Sequence, residues 1–183
     1  MPKAIISYVR WVDAINRRLG NMVLYLVFVM MGILLFSSIS RTVFNVPFSW
    51  VMEMAQFTMA AYYLLGGGYS MQLKSHVRMD VLYERWSPRK QAFVDTLTSG
   101  FLIFYLAVLL YGGISSTAYA IEYGQRNYSS WGPPMAPIKV IMTIGILLML
   151  LQAIATFFKD FAKARGMEIQ GLEKVWEEEI KVA

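Results

Sequence analysis

Glu53, with the amide of Gln56 one helical turn further on, is the first pair in this 183-residue chain whose types and spacing could do chemistry. A carboxylate inside an apolar run costs about 2.5 to 3.5 kcal/mol at mid-bilayer on insertion scales and therefore turns towards protein or water. One reading is a cation or proton site. The other is an inter-helix hydrogen bond, or a carboxylate held at the positive end of a helix dipole. A cation cage needs several oxygen ligands, and Gln56 alone stands near Glu53 in the chain, which favours the second reading. Trp50, Phe57 and Ala60 share this face at helical spacing, so the polar pair would meet a neighbouring helix.

His76 and Asp80 are the second candidate pair, within the charged stretch Lys74-Ser75-His76-Val77-Arg78-Met79-Asp80. A catalytic histidine needs a nucleophile or carboxylate partner in a pocket that excludes water, and a charged loop beside a membrane offers little of that. The structural reading has His76 and Asp80 tie the loop to helix ends while Arg78 meets a lipid phosphate or a partner. Gly66, Gly67 and Gly68 lack the preceding strand and the Lys with Ser or Thr of a phosphate loop, so they read as a place where two helix backbones approach closely. Trp131 precedes Pro133, Pro134 and Pro137. With Trp50 and Tyr128 it reads as a headgroup-level anchor, and a docking surface for an external protein is the alternative.

Cysteine is absent and His76 is the single histidine. Disulfides, thiolate metal sites, iron–sulfur clusters and bis-histidine haem are thereby excluded within this polypeptide. No cofactor and no metal site are expected, and the residue set does not suit an enzyme.

The elements that position these residues follow from the apolar runs. Hydrophobic residues make up 57% of the chain, against about 45 to 50% in soluble domains. Residues 20–40 contain no charge, and about 20 apolar residues cross about 30 Å of hydrocarbon. Residues 50–73 carry only Glu53, residues 96–121 carry no charge, and residues 140–158 stop at Lys159 and Asp160. The expectation is an all-α integral membrane protein with four transmembrane helices, at about 20–40, 50–73, 94–121 and 139–158, within a transmembrane domain of residues 20–160.

The N-terminal segment of residues 1–19 places Ile5, Tyr8, Val9, Val12, Ile15 and Leu19 on one face and Lys3, Arg10, Asp13, Arg17 and Arg18 on the other. That pattern predicts an interfacial amphipathic helix. Residues 74–90 read as an aqueous loop with room for a short helical piece at 79–86. Residues 161–183 read as a cytoplasmic tail with weaker helical periodicity and an acidic face. No cleavable signal peptide is expected, because about twenty residues of mixed polarity precede the first apolar run. Fourteen Lys and Arg fall in the two tails and the central loop, against Arg41, Arg126 and Lys139 on the other side. The positive-inside bias then puts both termini in the cytoplasm. These cations flank apolar runs instead of forming one stripe, so the net charge of +5 reads as a topology signal and not as a nucleic-acid surface.

Three places carry a family resemblance: Trp50 and Glu53 followed by the glycine run; His76-Val77-Arg78-Met79-Asp80-Val81-Leu82 ending in Ser87-Pro88-Arg89; and Ser129-Ser130-Trp131-Gly132-Pro133-Pro134 with Pro137 before a last span holding Leu151-Gln152. In this order they resemble the small membrane subunit of tripartite ATP-independent periplasmic (TRAP) transporters, over roughly residues 15 to 160. The resemblance implies a bacterial inner-membrane complex. A periplasmic substrate-binding protein captures an organic carboxylate solute. A large elevator-type subunit moves it on a sodium gradient, and the small permease subunit is the non-catalytic scaffold beside it. Membrane lipids would be its other partner. On this reading the spans pack sidelong against the large subunit through Ala60, Ala61, Gly67 and Gly100, with Glu53 near the seam. The residues by themselves leave open an unrelated tetraspan scaffold subunit and a small stand-alone channel or transporter.

Overall fold

The computed structural model describes residues 3–45, 48–73 and 88–164. They form four helices: α1 Lys3–Val43, α2 Trp50–Gln72, α3 Pro88–Glu122 and α4 Ala136–Ala164. His76, Arg78 and Asp80 lie outside the described residues, as do the short helical piece expected at 79–86 and the tail beyond Ala164.

Three of the four helices, α1, α3 and α4, are long and apolar enough to cross a membrane. The fourth, α2, falls short in composition and not in length. Its 23 residues rise about 34 Å at 1.5 Å each, but Glu53, Gln56, Gln72 and the three glycines dilute its apolar character. The reason lies in its position: α2 is flanked by α1 and α4, and Glu53 and Gln72 are only 7% and 8% exposed. A helix covered on two sides by protein has less apolar surface to offer to lipid.

The helices stand in a row. α1 packs on α2, α2 on α4 and α4 on α3, with a smaller contact between α1 and α4. Contacts fix the directions. Gly20 meets Tyr69 while Val23 lies by Gly66, so α1 and α2 are antiparallel; Gly67 meets Met149 and Gly145 meets Leu64, so α2 and α4 run parallel. The first residues of α1 and the last of α4 therefore lie at one end of the row, called here the termini end.

Of the amphipathic segment expected over residues 1–19, the described part from Lys3 is the start of α1, with no break before the apolar run. Its apolar face is used within the chain: Val9, Val12 and Ala155 form a buried cluster with Ile5, Tyr8 and Leu151 against it. A second cluster joins Met71, Leu106 and Ala153 from α2, α3 and α4. α3 begins at Pro88, several residues before its apolar run, and proline suits a first helical turn because its missing N–H has no intrahelical partner there. The core is thin and much apolar surface faces outward, from Tyr25, Phe28 and Leu35 on α1 to Phe101, Phe104 and Tyr111 on α3.

Candidate functional site

The largest buried polar assembly among the described residues sits at the termini end, where α1 crosses α4. Asn16 Nδ2 donates to Gln152 Oε1 at 2.7 Å, and Gln152 Nε2 donates to Asp13 Oδ1 at 2.9 Å. Lys159 Nζ then closes on Asp13 Oδ2 at 2.7 Å. Asp13 and Asn16, three residues apart, lie on one side of α1, and Gln152 and Lys159, seven apart, lie on one side of α4. Gln152 is fully buried and Asn16 nearly so.

The chain is polarised along its length, because each amide donates towards the carboxylate and the ammonium neutralises it. Asn16 Oδ1 is the end left without a partner among the described residues. It lies against the backbone of Gly68, 2.7 Å from where a Cβ would stand. A side chain at position 68 would push Asn16 away, which is one reason for glycine there. Tyr8 adds a hydrogen bond from its hydroxyl to the Leu151 carbonyl at 3.2 Å.

The glycines of α2 and α4 set the spacing of the middle of the row. A Cβ at Gly145 would fall 2.7 Å from the Leu64 carbonyl oxygen, and one at Gly67 would fall 2.8 Å from Met149 Sδ. Gly67, half-buried, faces Met149 of α4, and Ala61 is buried. Ala60 is half-buried, and Gly100 and Gly112 on α3 have open space in front of them.

At the opposite end α3 and α4 are joined by hydroxyls and one lysine. Thr117 and Thr143 Oγ1 lie 2.9 Å apart, and both donate to the Lys139 carbonyl, at 3.1 and 2.9 Å. Lys139 Nζ donates to Gln125 Oε1 at 2.7 Å and to the Ser116 carbonyl at 3.4 Å. A cation near the C-terminal end of α3 also suits its dipole. The connection from α3 to α4 is a tight hairpin, with Arg126 and Pro134 bridged and the Asn127 and Met135 amides bonded to the Pro133 and Gln125 carbonyls. Gly124 and Gly132 take the positive φ values of 55° and 57° that such reversals need.

The expected site residues are dispersed. Trp50 is half-buried and its ring lies tilted against Phe36 and Phe48 at ring separations of 6.5 and 6.1 Å. Glu53 is buried, and its Oε2 has no hydrogen-bond partner among the described residues. Gln56 is exposed, so the two do not act as a pair. Trp131 is 42% exposed in the hairpin beside the wholly exposed Tyr128. The Asp13–Gln152–Asn16–Lys159 assembly is the group that sequence reasoning did not bring together. Its signals were present singly: Gln152 is an amide in an uncharged run, and Asp13 is the one acid in α1.

Comparison with known proteins gives one family. The family model described as tripartite ATP-independent periplasmic transporters, DctQ component, matches residues 30–163. No curated protein matches the chain.

Proposed function

We infer that this chain, which belongs to the DctQ component family of tripartite ATP-independent periplasmic transporters, works there as a non-catalytic membrane scaffold for the large, elevator-type subunit. The transporter imports an organic carboxylate solute on a sodium gradient, and the solute arrives on a periplasmic binding protein. An elevator needs a neighbour that stays still while the transport domain moves. The observation that carries the scaffold reading is the row of helices, tied internally at both ends by hydrogen bonds and exposing large apolar side chains along α1 and α3. Surface of that kind is met by lipid or by partner helices, whose packing in a bilayer depends on close van der Waals fit. Open glycines on α3 and the unpartnered Glu53 fit the same role, the former as places where a partner backbone can approach. The Lys/Arg distribution supports an inner-membrane location with both termini inside.

Membership of the family leaves no place for an unrelated tetraspan scaffold. A stand-alone channel would line a continuous path with polar groups, whereas the groove between α3 and α4, about 300 Å³, is lined by Tyr105, Val108, Leu109, Gly112, Met142 and Ile146. The test is co-expression with the large membrane subunit. The two should co-purify in detergent, and liposomes should take up a carboxylate solute on a sodium gradient only when both are present. Uptake by this chain alone would overturn the reading.

A further inference from the structure

The termini end of α1 holds charged residues deeper than its own sequence implies. Judged from α1 alone, Asn16, Arg17 and Arg18 precede the apolar run that starts near Gly20, and so belong outside the hydrocarbon. Its neighbours set a different level. Asn16 lies against Gly68 and Gly20 against Tyr69, which are five and four residues before the end of the apolar run of α2 at Leu73. Asn16 also bonds to Gln152, seven residues before Lys159 ends the apolar run of α4. At 1.5 Å per residue, Arg18 therefore stands about 3 Å to the membrane side of Leu73 by the Gly20–Tyr69 contact and about 14 Å to the membrane side of Lys159 by the Asn16–Gln152 bond.

The directions of the side chains on α1 sort the charges. Val9, Val12, Asp13, Asn16, Gly20 and Val23 are buried, and Asp13 is taken by Lys159 and Gln152. The face opposite carries Ser7, Arg10, Trp11, Ala14 and Arg18, all exposed, with Trp11 at 62%. Arg10 and Arg18 make no ion pair among the described residues. Helical side chains lean towards the N-terminus of their helix, which directs the exposed Arg18 side chain back over Ala14 towards Trp11. This is the geometry of a snorkelling arginine. A guanidinium held below the surface draws a phosphate inward, because a bidentate phosphate pair satisfies its donors where water is scarce.

We propose that the outward face of α1 at the termini end binds the headgroup of an anionic membrane phospholipid, with Arg18 as the principal phosphate ligand over Ala14, and Arg10 and Trp11 flanking it. The site rests on the helices spanning a bilayer and not on the transport role, so its failure leaves the scaffold reading standing. It selects lipid by charge: Asp13, the only acid of α1, faces the other way, and the outward face is purely cationic.

Native mass spectrometry of the full chain in detergent, titrated in turn with phosphatidylglycerol and phosphatidylcholine, tests the site. The wild type should retain phosphatidylglycerol preferentially. R18Q should lower that preference about fivefold, the equivalent of one basic residue at a membrane surface, and R10Q should lower it less. R41Q, which removes an exposed arginine at the other end of the same helix, should leave it unchanged and serves as the folding and charge control. Equal retention of the two lipids by the wild type, equal losses in R18Q and R41Q, or displacement of the lipid by an equal concentration of glycerol 3-phosphate would each overturn the proposal. The last result would mean a soluble-phosphate site.

Discussion

Asp13 and Lys159 stand 146 positions apart in the chain and meet at 2.7 Å, joining the first helix to the last. Their side chains are 11% and 23% exposed, so the pair is largely removed from water. Gln152 holds the second carboxylate oxygen and passes the interaction to Asn16. The N-terminal part of α1 is thus fastened upright along α4 by directional bonds as well as by the packing of Val9 and Val12.

Removing one partner should cost more than removing both. Asp13→Ala leaves the Lys159 ammonium and the Gln152 amide without their acceptor, a loss on the order of 2 to 3 kcal/mol for a mostly buried pair. Thermal unfolding of the purified chain in detergent should show a clear fall in Tm for Asp13→Ala and for Lys159→Met. The reversed pair, Asp13→Lys with Lys159→Asp, should regain part of it. A reversed pair no more stable than the single variants would show that the ion pair contributes nothing.

Asn16 and Gln152 should be energetically coupled. A double-mutant cycle with Asn16→Ala and Gln152→Ala, read by the same unfolding measurement, should give about 0.6 kcal/mol and at most about 1.7 kcal/mol, the range measured for inter-helix hydrogen bonds in membranes. Strict additivity would mean that the bond is not made.

Glycine positions that look alike in the sequence should respond oppositely. Gly145→Ala places a methyl on the Leu64 carbonyl and should destabilise the chain itself, since backbone cannot give way cheaply. Gly112→Ala meets nothing within 4 Å and should be neutral or gain up to about 1 kcal/mol from helix propensity. Co-purification with the large subunit should be sensitive to a bulky residue at Gly112 if that face is the seam. Equal stabilities for Gly145→Ala and Gly112→Ala would contradict the packing.

The absence of cysteine makes topology simple to measure. Tyr128→Cys, in the exposed hairpin, should react with an impermeant maleimide on intact cells. Ser7→Cys, on the outward face of α1, should react only after permeabilisation. The reverse pattern would invert the orientation inferred from the lysines and arginines.

Much of the architecture was legible before folding. The uncharged runs at 20–40, 50–73, 96–121 and 140–158 each lie along one of the four helices, because a chain that crosses lipid must satisfy every backbone group internally and helices do so locally. The glycine run in α2 was legible as a close approach for the same reason, since the missing side chain is itself the signal. Glu53 was recognisable as an exception in an apolar run, but not the separation from Gln56 that leaves one buried and the other exposed.

The amino-acid order alone thus decided that lipid is the solvent, where the helices lie, and which family the chain resembles. All of these depend on composition over windows of about twenty residues. The fold decided what no window contains. It set α1 against α4 in a register that makes Asp13, Asn16, Gln152 and Lys159 one hydrogen-bonded chain. It turned the amphipathic face of residues 5–16 inward, onto Leu151 and Ala155. It also fixed how deep Arg18 sits. Register between distant helices arises from shape, from the glycines that let backbones close up and the polar atoms that accept one alignment. A periodicity read along a single helix shows which residues share a side, and only the neighbours determine what that side meets.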